Sequence, residues 1–312
     1  MSTDYLLFVH GVRSRSEQDF LNNVQSLFKP IAQVLGANAT VKPISCFWGQ
    51  CGEPALINLR QKMQQSSAWD KLWFKNFRSD QILDFVGDGA LYLSRAVGAK
   101  VVARIYESAM TAVEIVKPGD RLHLVTHSWG TVILMDILFA KRWVSSSFEK
   151  SDPKTWNYIQ QIRNTLFGLG ENPNVGLTLG SIHTMGSPIA LFNLINTAEE
   201  NGHDLVPELQ VFLQNLRQKT GKPLPWNNYI HPADPIAYPL EGVSEQFLGA
   251  TGPNASVTVS DVVVRTNTLN EKFMGVTQGT ILSVLYGGTA HNSYWKIPEI
   301  PKAIAATIQG QS

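Results

Sequence analysis

The sequence predicts an α/β protein, with a mostly parallel sheet flanked by helices on both faces. Two observations carry this. Compact apolar runs at 5–9, 122–125 and 177–184 alternate with stretches whose apolar residues recur at three and four. Clusters such as Pro118-Gly119-Asp120 and Gly221-Lys222-Pro223 separate them. Strands that alternate with helices need crossovers, and crossovers cover both faces of a sheet. The 312 residues, 44% hydrophobic and 16% charged, are enough for one large core. No repeat, low-complexity tract or linker divides them, so a single domain over 1–312 is expected. A helical segment at about 54–117 is its candidate cap or lid.

Tyr5 to Val9 reads as the first strand, and it runs into His10-Gly11-Val12. Gly11 permits a sharp bend there, and His10 orders the turn. Ser16 caps a helix with apolar positions Phe20, Val24, Leu27, Phe28 and Ile31. Thr40 to Trp48 is the next strand. From Pro54 to Pro118 the pattern is helical without a strand. Its first part carries Trp69, Leu72, Trp73, Phe74 and Phe77 beside Lys71, Lys75 and Arg78. On a helix, Trp69, Trp73 and Phe77 would share one face, which favours a core stripe. The alternative is a lid or a docking face for a lipid surface. Gly87, Gly89 and Gly98 mark bends or breaks further on.

Residues Leu122 to Thr131 concentrate the chemical signal. The apolar run Leu122, Leu124 and Val125 stops at Thr126-His127-Ser128-Trp129-Gly130. Val132, Ile133, Leu134, Ile137 and Leu138 then resume at helical spacing. Strand, sharp turn and helix with serine at the apex is the small-x-Ser-x-Gly nucleophile elbow. So tight a turn strains the serine backbone and brings the residues two before and two after it together. Gly130 has no Cβ to clash, and Thr126 stands where glycine is more usual.

Downstream, Ser151-Asp152-Pro153 opens a helix, and Leu177 to Thr184 is a strand leading into Met185-Gly186-Ser187-Pro188. Leu191 to Lys222 reads as helical. Trp226 to Ile230 is a short strand followed by His231-Pro232-Ala233-Asp234-Pro235. Val257 to Arg265 alternates like a strand and Thr280 to Leu285 does so less regularly. His291 is expected in a loop of small residues, before a final helix from Pro298 to Ile308.

A serine needs a base, and the base needs an orienting acid. Ser128, Asp234 and His291 occur in that order, each after a strand or in a late loop. Asp261 is the rival acid, but it falls within an alternating run rather than after one; Glu241 and Glu245 are weaker candidates. Among the other histidines, His127 packs under the turn, His123 and His183 belong to strands, and His231 steadies the acid loop.

Together these stretches resemble an α/β-hydrolase superfamily serine esterase or lipase, of the lipase-like, GPI inositol-deacylase-like branch. His10-Gly11 resembles the oxyanion segment and Thr126-His127-Ser128-Trp129-Gly130 the His-Ser-x-Gly elbow. Met185-Gly186-Ser187-Pro188 resembles that group's Gly-Ser-Pro turn, and Asp234-Pro235-Ile236-Ala237 its acid segment. The departures are Thr126 for glycine, Trp129 for the commoner Leu or Met, absent leading strands, and the long helical stretch before the elbow. The resemblance implies an α/β-hydrolase fold, and the helical stretch is then expected as an insertion before the nucleophile strand. The resemblance also implies a Ser128–His291–Asp234 triad, with the Val12 and Trp129 N–H groups as oxyanion donors. The expected reaction is carboxylic ester hydrolysis through an acyl-enzyme, with a lipid or other acyl ester as substrate and no cofactor or metal. An inactive binding or scaffold protein on the same fold, or an acyltransferase or thioesterase using the same triad, are the alternatives.

The formal net charge of +1, without a Lys/Arg run, argues against nucleic acid as a partner. The N-terminus lacks a basic n-region, and no apolar stretch approaches the roughly 20 residues that span a bilayer. A cytoplasmic protein with free thiols at Cys46 and Cys51 is expected, with peripheral membrane contact left open.

Overall fold

The computed structural model describes residues 2–113, 116–143, 145–169, 176–191, 204–248, 255–266 and 289–310. Six strands form one sheet: β1 (Thr3–Val9), β2 (Thr40–Cys46), β3 (Arg121–His127), β4 (Thr178–Met185), β5 (Leu224–Ile230) and β6 (Val257–Val263). Their order is β2-β1-β3-β4-β5-β6, and every neighbouring pair is parallel. The main helices are α1 (Glu17–Leu35), α2 (Glu53–Gln64), α3 (Leu83–Leu93), α4 (Arg95–Ala112), α5 (Trp129–Phe139), α6 (Pro153–Phe167), α7 (Val206–Thr220) and α8 (Glu299–Gly310). No helix among the described residues is long and apolar enough to cross a membrane.

Alternation along β1 shows how the two faces are filled. Tyr5, Leu7 and Val9 join a core with Val101, Val102 and Ile105 of α4, Ile133 and Ile137 of α5, and Ile159 and Ile162 of α6. Leu6 and Phe8 join the opposite core with Val24, Leu27 and Ile31 of α1 and Ile300, Ile304 and Ile308 of α8. Helix α5, buried from Gly130 to Phe139, lies deepest; a helix apolar on every side suits that position. Helix α1 begins where Ser16 accepts the Asp19 N–H at 3.1 Å, and α6 begins where Asp152 accepts that of Thr155 at 3.1 Å.

A line of buried polar groups crosses four strands. Arg121 Nε and Nη2 clamp Asp4 at 2.6 and 2.9 Å, and Asp4 Oδ1 receives His123 Nε2–H at 3.2 Å. His123 Nδ1 then accepts from the Ser181 hydroxyl at 2.7 Å. Ser181 Oγ accepts His183 Nε2–H at 2.9 Å, and His183 Nδ1 accepts from the Tyr229 hydroxyl at 3.2 Å. One direction of donation satisfies every member with both rings neutral, so the burial leaves none of these groups orphaned.

The order of the sheet reverses between β1 and β3, and their carboxyl ends open a crevice where such sheets place ligands. The turn after β1 and the elbow after β3 both lie there.

The segment between β2 and β3 departs from expectation. It is not one long helix: α2 ends at Gln64, a 3₁₀ turn covers Trp69–Lys71, and Phe74 takes a left-handed backbone with φ 57°. A π-helical stretch, Arg78–Ile82, precedes α3. The four-residue spacing of Trp69, Trp73 and Phe77 therefore falls on no common helical face. Trp73 and Phe74 are 78% and 73% exposed, so the core assignment fails for these two residues. Helix α4 is a crossover helix packed on β2 and α6. The expected strand at 280–285, and residues 192–203 of the expected helix 191–222, lie outside the described residues; within that span α7 covers Val206–Thr220. Cys46 and Cys51 are free thiols.

Exposure and packing give opposite expectations for two alanine substitutions in this segment. Trp73→Ala should change unfolding free energy by less than about 0.5 kcal/mol. Ile105→Ala, at a position with no exposure, should cost about 2–5 kcal/mol. Urea denaturation distinguishes them, and equal losses would return Trp73 to the core.

Candidate active site

Ser128 follows β3 directly, with φ 55° and ψ −130°, a conformation that side-chain-bearing residues rarely adopt. Three contacts hold the strain. Ser128 N–H donates to Met185 O at 2.9 Å, fastening the elbow to β4. Gly130 lies so close to the end of β1 that a Cβ there would meet His10 O at 2.5 Å. Thr126 shares a 2.7 Å hydrogen bond with Thr131, so a hydroxyl side chain is accommodated where glycine is more usual. The Ser128 hydroxyl itself is fully buried and has no hydrogen-bond partner among the described residues. Leaving a buried hydroxyl unsatisfied costs about 1–3 kcal/mol.

The turn after β1 lies directly against the serine. A Cβ on Gly11 would stand 2.4 Å from Ser128 Cβ and 2.9 Å from its Oγ, so only glycine permits this approach. His10 is fixed beneath the turn in one neutral tautomer. The Trp48 N–H donates to His10 Nε2 at 3.0 Å, which leaves Nδ1 to donate to Gly11 O at 2.6 Å. The Trp48 indole N–H holds His10 O at 2.8 Å, and the two rings stack 5.1 Å apart. Burial pushes the His10 pKa down from 6.5 to about 3. Val12 is buried beside the turn, and Trp129 begins α5 immediately after the serine.

His291 and Asp234 meet on the same edge of the sheet. His291 Nδ1–H donates to Asp234 Oδ2 at 2.9 Å, which fixes the orientation of the ring. Tyr294 donates its hydroxyl to the same Oδ2 at 2.8 Å while accepting the His231 N–H at 2.9 Å. Ile236 N–H bonds Asp234 Oδ1 at 3.0 Å. Burial alone would raise the Asp234 pKa, but donation from His291, Ile236 and Tyr294 outweighs it and holds the carboxyl below its usual value. Gly186, at φ 57°, makes room for this group; a Cβ there would lie 2.7 Å from Asp234 Oδ2 and 3.2 Å from His291 Nδ1.

Asp261, the rival acid, is committed elsewhere. It accepts Leu240 N–H at 3.0 Å, Glu241 N–H at 3.0 Å and Asn228 Nδ2 at 2.7 Å, binding β6 to the segment after Asp234. His291 also differs from expectation, because residues 289–293 form a helical turn rather than a loop. That turn is anchored by His127, whose Nε2–H donates to His291 O at 2.6 Å. The His127 pKa falls to about 3, chiefly through burial and then through the nearby His291.

In the sequence Tyr294 and Asp88 carry no expected role, and His127 only a packing one. None had a readable signal, because each acts on backbone or carboxylate groups distant in sequence. Asp88 of α3 reaches the loop after Gly11 from the helical segment before β3. Its neighbour Gly89 packs over Trp129, where a Cβ would sit 3.0 Å from the indole Cζ2.

His10, His127 and His183 each have a folded pKa of about 3 against 6.5 ordinarily. Unfolding therefore takes up protons between these values. Stability should be full above pH 6.5 and decline as pH falls toward 3, by ~1.4 kcal/mol per pH unit per histidine at steepest. Chemical denaturation at stepped pH measures the slope, and His183→Gln should remove about one histidine's share. A flat profile would contradict neutral burial of these rings. Compared with protein-family models, with curated proteins and with solved structures, the chain has no match, so the geometry at this sheet edge carries its functional reading.

Proposed function

We propose that this protein is a serine hydrolase of the α/β-hydrolase type that cleaves carboxylic esters through an acyl-enzyme. One observation carries the reading: a buried, unsatisfied serine hydroxyl at positive φ lies on the same sheet edge as an Asp-oriented histidine. A merely structural serine gains nothing from that arrangement.

In this reading His291 Nε2 takes the proton of Ser128 as Oγ attacks the ester carbonyl. Asp234 holds the ring in the required tautomer and stabilises the imidazolium. The N–H groups of Val12 and Trp129 receive the developing oxyanion, each worth roughly 3–4 kcal/mol in comparable sites. His291 returns the proton to the leaving alcohol, and water then releases the acyl group by the same steps in reverse roles. Ser128 Oγ has no hydrogen-bond partner among the described residues, so this reading requires its bond to His291 Nε2 to form with substrate bound. Residues 53–93 act as the cap, while α4 belongs to the sheet layer. The free thiols suit a reducing, cytoplasmic setting.

A fluorophosphonate should label Ser128 alone in the native protein, as mass spectrometry of the adduct would show. Ser128→Ala should abolish labelling and ester turnover without unfolding. Asp234→Asn should lower kcat by about 10⁴-fold, since it favours the wrong tautomer. Asp261→Asn should instead lower stability and spare most activity. Protein that neither labels nor hydrolyses an aryl ester would replace the enzyme with a scaffold.

A lipid ester is the favoured substrate because of the cap's exposed side. Among the described residues, seven of the thirteen exposed large hydrophobic side chains lie between Ile57 and Leu93. The foremost, Trp73 and Phe74, stand beside the exposed Lys71 and Arg78, a combination suited to an anionic interface. Trp73→Ala with Phe74→Ala should reduce hydrolysis of ester in anionic vesicles several-fold and leave a soluble short-chain ester unaffected. Equal rates on both would remove the lipid preference.

A further inference from the structure

The loop that follows Gly11 is shaped by the cap, through one carboxylate. Asp88 of α3 is buried, its side chain only 1% exposed. Its Oδ2 accepts the backbone N–H of Arg13 at 2.8 Å, and its Oδ1 accepts Arg15 Nη2 at 3.0 Å. Arg15 Nη1 continues to Gly49 O at 2.7 Å, in the turn that follows β2. Arg13 is one of three described non-glycine residues with positive φ, at 66°. The other two are Ser128 and Phe74. A left-handed arginine directly after Val12 needs something to hold it, and the Asp88 carboxylate is bonded to the amide of that residue. The same stretch of α3 seats Gly89 on the indole of Trp129, so both sides of the serine are contacted from one helix.

We propose that Asp88 is a positioning residue for catalysis: delivered by the cap, it fixes the Val12–Arg13 turn so that the Val12 N–H meets the oxyanion. This rests on the hydrolase reading and extends it, because it makes the turn correctly shaped only while α3 is seated. Three features set Asp88 apart from an ordinary buried ion pair. The bond to Arg13 is to backbone and acts where φ is strained. The arginine partner is itself tied to the turn that follows a second strand. The carboxylate comes from a helix before β3, whereas the bonds to His10 and Gly11 come from Trp48, just beyond β2, and from the turn itself.

The test compares Asp88→Ala and Asp88→Asn with Asp84→Asn. Asp84 lies on the same helix and pairs with Arg60 at 2.6 Å, but it touches neither Arg13 nor Arg15. Asp88→Ala should lower kcat and the rate of fluorophosphonate labelling at Ser128 by roughly 100-fold, the scale of losing one oxyanion donor, with KM nearly unchanged. Asp88→Asn keeps an acceptor oxygen and should lose about tenfold. It also serves if the alanine variant does not fold. Asp84→Asn should keep the wild-type rate even where its thermal midpoint falls as far. Amide exchange at Arg13 should accelerate in the Asp88 variants and not in Asp84→Asn. Wild-type labelling together with undiminished rates in both Asp88 variants overturns this assignment alone. The same holds if Asp84→Asn loses kcat in parallel. A wild-type protein that does not label overturns the hydrolase reading and this assignment together.

Discussion

The near-contact between Gly11 and Ser128 is the constraint on which the rest of the site depends. Two backbone segments, one leaving β1 and one leaving β3, approach until no side-chain carbon fits at residue 11. That approach is available only because β1 and β3 are neighbours across the point where the strand order reverses. Gly130 repeats the condition from the other side, against the carbonyls of Val9 and His10. The serine's strained backbone is thus held by covalent geometry and close packing on several sides.

Around this contact, support comes from histidines that carry no charge. His10 steadies the turn after β1, and His127 ties down the backbone of His291. Each uses a ring N–H to hold a carbonyl oxygen, and each is buried enough to disfavour the imidazolium. Neutral rings suit this place, because an imidazolium there would be a charge buried away from water. Tyr294 does the matching work on Asp234, bridging its carboxylate to the backbone of His231.

Local signals were legible in the sequence, and distant ones were not. The Ser16 cap, the elbow's strand–turn–helix pattern and the apolar runs of β1, β3 and β4 depend on neighbours in the chain, and the structure has them as read. Asp234 follows a strand and Asp261 lies within one; Asp234 bonds His291, whereas Asp261 bonds the Leu240 amide. The aromatic segment misled because Trp69, Trp73 and Phe77 have helical spacing, whereas the backbone turns left-handed at Phe74. Spacing alone does not reveal that turn. The roles of His127, Tyr294 and Asp88 were unreadable for another reason: their partners lie 164, 60 and 75 residues away.

The polar line from Asp4 to Tyr229 bears on how the chain reaches its fold. His123 finds Asp4 across 119 residues, and Ser181 across 58, so no local segment can satisfy it. A sheet with β1, β3 and β4 paired but β5 absent would strand His183 without the Tyr229 hydroxyl. Partly assembled sheets therefore carry unmatched polar groups that the complete one does not. This sharpens the all-or-none character of assembly, and contacts so far apart in sequence make it slow. The same line disfavours a strand slipped by one residue, since every member would then face the opposite layer.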